Sequence, residues 1–133
     1  YWENRPVIYL GLQSPGFPNL ITLVGPHNAS TFCNIPRCIE QNVEWVSDLL
    51  AFMHKEGLET VEAASEAAAS WVEHSEEMVS MTLIPTTDSW FMNVNQNLPE
   101  KKRTFLAYAG GAPRYKQKCD EVAEAGYTGF IFS

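Results

Sequence analysis

The stretch from Asn34 to Gly57 carries helix-ending chemistry at both ends. Asn34 is a good N-cap, and Pro36 falls in the first turn, where its missing N–H costs nothing. Ile39, Val43, Val46, Leu50 and Met53 recur at helical spacing and predict one apolar face. His54 and Lys55 lie in the last turn, where cations suit the helix dipole, and Gly57 is the expected C′ stop. In a chain of 133 residues a helix this long limits the rest, because the other elements must pack on its apolar face.

The residues before this helix are rich in reactive side chains. "LITLV" at 20–24 predicts a strand buried on both faces, stopped by Gly25 and Pro26. "GPHNASTFC" then leads to the N-cap. A metal site could use His27, Cys33 and Cys38, but the cysteines are not a C-x-x-C pair and no second pair exists. A helix N-terminus lowers a thiol pKa, so Cys33 is a conceivable nucleophile. No histidine is fixed as its base, since His27, His54 and His74 all read as surface residues. A ligand-binding turn is also possible, because the helix start presents free N–H groups and partial positive charge. These readings stay open beside a plain strand-to-helix connection, which periodicity alone favours. Asn28-Ala29-Ser30 fits a glycosylation acceptor and is taken as a chance match.

Elsewhere, residues 7–12 predict a strand and "SPGFPN" a turn. An alanine-rich helix is expected over about 60–80, with Ala64, Ala68, Trp71, Ser75 and Met78 on one face and Pro85 beyond its end. Residues 86–103 have little periodicity, and irregular segments this long are usually functional or disordered. Trp90 and Phe91 within it could close over a ligand or anchor the loop to the core, whereas Trp45 and Trp71 read as core or interface residues. "TFLAY" at 104–108 predicts a strand. Pro113 opens a helix carrying Tyr115, Cys119, Val122 and Ala123, Gly126 closes it, and "GFIF" is a terminal strand. The order β-β-α-α-loop-β-α-β indicates an α/β fold whose few strands are expected to join others from outside this chain.

A net charge of -7 argues against a nucleic-acid or anionic-membrane surface, and Lys101, Lys102 and Arg103 read as a solvated loop. No apolar run approaches the roughly 20 residues that span a bilayer. The missing initiator Met suggests a piece of a longer protein. Three cysteines fit a reducing, cytoplasmic setting.

"GFPNLITLVGPHNASTFCNIPRCIEQNVEWVSDLL", "TTDSWFMN" and "TFLAYAGGAPRYKQKCDEVAEAGYTGFIFS" together resemble the C-terminal part of Baeyer–Villiger monooxygenases, the FAD- and NADPH-dependent enzymes typified by cyclohexanone and phenylacetone monooxygenases. The resemblance runs from about Tyr9 to Ser133. It implies a two-dinucleotide-domain, Rossmann-like flavoprotein. Residues 1–133 would complete its FAD domain, with 86–103 as a lid-like loop. The implied partners are a ketone, O₂ and the remaining FAD and NADP domains, with no nucleic acid or membrane and with self-association possible for the segment alone. Neither G-x-G-x-x-G turn nor the family's F-x-G-x-x-x-H fingerprint occurs here, so the segment alone is expected to be inactive and to carry no catalytic residue and no metal. An N- or S-oxygenating relative and an independent interaction module are the rival readings.

Carried over residue by residue, the resemblance implies FAD contacts from Gly25, Pro26, Asn34 and Ile35, and an NADP contact from Trp90. Thr31, Phe32, Cys33, Ile35, Trp90 and Phe91 would line the ketone pocket. Many relatives read G-P-G-S-P-S-x-L-S-N-M where this chain has "GPHNASTFCNI"; bulky Phe32 and the thiol of Cys33 alter the pocket, so the substrate is not carried over. "NVNQNLPEK" also departs from the family's lid.

Overall fold

The computed structural model describes residues 5–94, 97 and 103–133. A 3-10 turn, Ala29–Phe32, leads into helix α1, Ile35–Glu56. Strand β1, Val61–Ala63, helix α2, Ser65–Ser80, and two 3-10 turns, Ile84–Thr86 and Trp90–Met92, follow. Helix α3, Ala112–Glu124, and strand β2, Phe130–Phe132, complete the chain. The strands pair antiparallel, with Val61 opposite Phe132 and Ala63 opposite Phe130. The fold is therefore mixed α/β with few strands.

The ends of α1 are where the sequence places them. Asn34 Oδ1 accepts from Arg37 N–H, and Gly57 takes the left-handed conformation with φ 69°. The buried face is not the expected one. Cys38, Asn42, Trp45, Leu49 and Met53 face the core, while Val43 and Leu50 are 44% and 54% exposed. The stripe is displaced because it contains a buried asparagine, which an apolar pattern passes over. On α2 the buried residues include Ala68, Trp71, Ser75 and Met78, as expected, but the helix starts at Ser65 because 61–63 is drawn into the sheet.

Three expected strands are absent. Residues 7–12 form a tight turn, with left-handed Leu10 and Gly11, closed by a Tyr9–Gln13 bridge. Residues 20–24 find no ladder partner among the described residues, and Leu20 and Leu23 are exposed. The extended 104–108 segment bonds to two different turns instead of one strand. Thr104 N–H and Leu106 N–H donate to the carbonyls of Met92 and Phe91 (3.0 and 2.9 Å), and Tyr108 N–H donates to Asn28 (3.1 Å).

The main core joins Leu10, Leu12, Trp45, Leu49, Trp71, Tyr108 and Tyr115. A smaller cluster of Val79, Met92, Val94, Phe105 and Ala107 seats the start of the irregular segment. Arg103 is exposed but not simply solvated: it pairs with Asp88 and donates to the carbonyls of Pro85 and Thr87 (2.6 and 2.8 Å). Lys101, Lys102 and most of "NVNQNLPEK" lie outside the described residues.

Candidate functional site

The turn at 25–28 is set by a close approach of two backbones. A Cβ on Gly25 would lie 2.5 Å from the Gly11 carbonyl oxygen, and a Cβ on Gly11 would lie 2.9 Å from the Pro26 carbonyl oxygen. No side chain fits between these turns, which is why glycine is needed on both sides.

A buried polar network fixes the same turn to two helices. Asn28 Nδ2 donates to Asn42 Oδ1 (2.8 Å) and to the Tyr115 hydroxyl (2.7 Å). Asn42 Nδ2 also donates to that hydroxyl (3.3 Å), which in turn donates to the Leu10 carbonyl (2.7 Å). Val24 N–H donates to Asn42 Oδ1 (3.4 Å). Burial pushes the Tyr115 phenol well above its ordinary pKa, so it stays a donor. Asn28 is 1% exposed with its amide engaged here, so its glycosylation motif is unavailable in the folded chain.

His27 is fully buried, against the surface reading. Its Nε2 is 2.8 Å from the Phe105 carbonyl, which makes that nitrogen the donor. Burial is the main cause that lowers its pKa below the usual histidine value. His74 is also partly buried, bonded to the Tyr108 hydroxyl at 2.9 Å. Neither histidine reaches Cys33 in the structure. Cys33 is joined to Cys38 as a disulfide, with Cα atoms 6.8 Å apart. This corrects the reading of Cys33 as a conceivable thiol nucleophile. Cys119 is free and buried, and its thiol is pushed up to about 12 by burial. Among the described residues no three His, Cys, Asp or Glu side chains converge to hold a metal.

Ile35, at the start of α1, is exposed. With Pro36 lacking an N–H and Arg37 N–H capped, Ile35 N–H is the first-turn donor left without a partner among the described residues. A cavity of about 340 Å³ opens between this helix start and α3, lined by Cys33, Asn34, Arg37, Cys38, Gln41 and Tyr115 among others and not by Ile35. A larger one of about 420 Å³ lies against Trp71, His74 and Lys118 and contains none of the candidate residues. The smaller cavity is the relevant one here because it adjoins the helix start.

Of the expected site residues, Gly25 and Pro26 form the turn behind the helix, and Cys33 and Asn34 line the cavity. Thr31 lies in the 3-10 turn by its backbone, and its side chain is outside the described set. The Phe32 and Phe91 rings meet at 5.6 Å, and Phe32 also lies 6.5 Å from Phe105. Trp90 is 90% exposed, so Met92 and Val94, not Trp90, anchor the loop. From sequence His27 enters only as a conceivable metal ligand, and Asn42, Phe105 and Tyr115 are not identified as site residues. The left-handed φ of 59° at His27 and the asparagine inside the α1 stripe are the signals that mark the first two.

No family model matches the chain. Curated relatives do. The chain is 37% identical over 130 residues to a Baeyer–Villiger monooxygenase of Pseudooceanicola batsensis, covering 98% of this chain and 23% of that protein. It is 36% identical over 131 residues to the phenazine N-monooxygenase PhzNO1 of Lysobacter antibioticus, covering 98% of this chain and 24% of that protein. It also superimposes on the crystal structure of OTEMO in complex with FAD and NADP with a TM-score of 0.88 at 37% identity, covering 99% of this chain and 24% of that one. The chain thus spans about a quarter of the length of the relatives it matches.

Proposed function

We infer that this chain, which matches a segment of Baeyer–Villiger monooxygenases along nearly its whole length, is part of an FAD- and NADPH-dependent monooxygenase that inserts an oxygen atom beside a ketone carbonyl to give an ester or lactone. The observation that carries the reading is the 37% identity over 98% of the chain. On this reading residues 1–133 complete the FAD domain and the segment alone is inactive. Among the described residues no helix is long and apolar enough to cross a membrane. A cytoplasmic location belongs to the same proposal.

The residues fit a flavin on one observation of the structure: a 22-residue helix ends at an exposed Ile35 whose N–H has no partner among the described residues. Asn34 and Ile35 would present that N–H and the positive helix end to the flavin's electron-rich pyrimidine edge, and Gly25 and Pro26 would close the turn behind it. When bound, FAD and NADPH supply the hydride and oxygen chemistry. Phe32 and Phe91 would form an aromatic wall that holds an apolar ketone and excludes water, and Thr31 and Cys33 belong to the same proposed pocket. Trp90, exposed on a seated turn, would cover NADP and substrate.

The test uses the longer protein to which the segment would belong. Ketone-dependent NADPH consumption with ester formation supports the reading, and a folded protein without flavin contradicts it. In that protein Trp90→Ala should retain FAD and lower kcat/KM for NADPH about tenfold, measured by steady-state kinetics. Unchanged kinetics would remove Trp90 from the site. The likeness to a phenazine N-monooxygenase favours a second reading, oxygenation at nitrogen, which product analysis with a ketone and an aromatic N-heterocycle separates.

A further inference from the structure

A histidine occupies a backbone position that suits glycine. His27 has φ 59°, a region uncommon for residues other than glycine and costing about 1–2 kcal/mol for an ordinary side chain. It is also 1% exposed, so its imidazole is held inside the protein. The side chain makes an interaction that glycine at this position would lack.

That interaction leads to the irregular segment. His27 binds 105–106 twice: its N–H donates to the Leu106 carbonyl (2.9 Å), and its Nε2–H to the Phe105 carbonyl (2.8 Å). The same strap also bonds the base of the Trp90 loop: Leu106 N–H donates to the Phe91 carbonyl and Thr104 N–H to the Met92 carbonyl. The Phe105 ring meets Phe32, which in turn meets Phe91. One strap thus bonds both the turn at 25–28 and the base of the Trp90 loop. The Nε2–H tautomer leaves Nδ1 as a bare acceptor, and Nδ1 has no partner among the described residues.

We propose that His27 is a positioning residue that sets the spacing between the turn at 25–28 and the base of the Trp90–Phe91 loop through the 104–106 strap. Its functional consequence rests on the monooxygenase reading. With the spacing set, Phe32 and Phe91 close the same pocket wall and Trp90 starts from a fixed base. A shift of the strap would misplace the loop without touching the proposed flavin contacts.

The test compares His27→Gly, which relieves the backbone and deletes the imidazole, with His27→Gln, which restores a side-chain N–H donor. Both are made in the longer protein. Two readouts are followed: amide hydrogen exchange at Leu106, and kcat and KM for NADPH with FAD content measured alongside. His27→Gly should keep FAD, speed Leu106 exchange, and raise KM for NADPH about tenfold with a smaller change in kcat. His27→Gln should recover most of both effects. Unchanged Leu106 exchange overturns the proposal, as does faster exchange with unaltered kinetics. A wild-type protein without flavin would contradict the monooxygenase reading instead, and Leu106 exchange would still report on the strap.

Discussion

Trp45→Ala should cost about 3–5 kcal/mol of folding stability in this chain, read as a lowered denaturation midpoint. Trp45 is 5% exposed, its indole N–H donates to the Cys119 carbonyl at 2.8 Å, and its ring meets Tyr127 edge-on at 5.3 Å. Truncation would open a cavity where α1, α3 and the C-terminal turn meet, and it would also strand a buried carbonyl. Val43→Ala on the same helix is the internal control. Val43 is 44% exposed, so its loss should fall within about 0.5 kcal/mol. Equal losses at the two positions would mean that α1 packs by the face its apolar spacing suggests and not by the face described above.

The second large effect is expected at Asn42. Asn42→Leu removes an acceptor used by Asn28 and Val24 and a donor to Tyr115, all inside the fold. Each buried group left unpaired costs roughly 1–3 kcal/mol, so a loss of about 3 kcal/mol is expected. Tyr115→Phe strands the Leu10 carbonyl and also destabilises. The two changes break one network, and the double variant should lose less than the sum of the singles. Additive losses would show that the bonds act independently. In the longer protein the same variants should weaken FAD retention, because the network holds the turn from which Gly25 and Pro26 are proposed to act.

Local chemistry made parts of this fold legible. Asn34, Pro36 and Gly57 mark the ends of α1 because capping depends only on neighbouring residues. Pro113 and Gly126 bracket α3 for the same reason. The buried face of α1 was not legible, because Asn42 is buried only by virtue of partners 14 and 73 positions away. The strands at 7–12 and 20–24 failed because apolar runs indicate burial without naming a pairing partner. Helical position 61–63 failed for the converse reason: Phe130 and Phe132 recruit it to a sheet from the far end of the chain.

The site divides in the same way. The exposed aromatic pair and the capped helix start could be read from composition and spacing. His27 could not, because a polar side chain in a turn looks solvated until the Phe105 carbonyl is placed against it. The Cys33–Cys38 pairing was equally hidden, since a five-residue spacing straddling a helix start matches no familiar cysteine motif.

The central claim is that the turn at 25–28 and the start of α1 face the flavin. Amide hydrogen exchange across residues 25–37 of the longer protein, with and without saturating FAD, tests it most directly. The account predicts slowed exchange at Asn34 and Ile35 when FAD is bound, with little change at the far end of α1 near Gly57. Flavin bound with full occupancy and no change anywhere in 25–37 would contradict it.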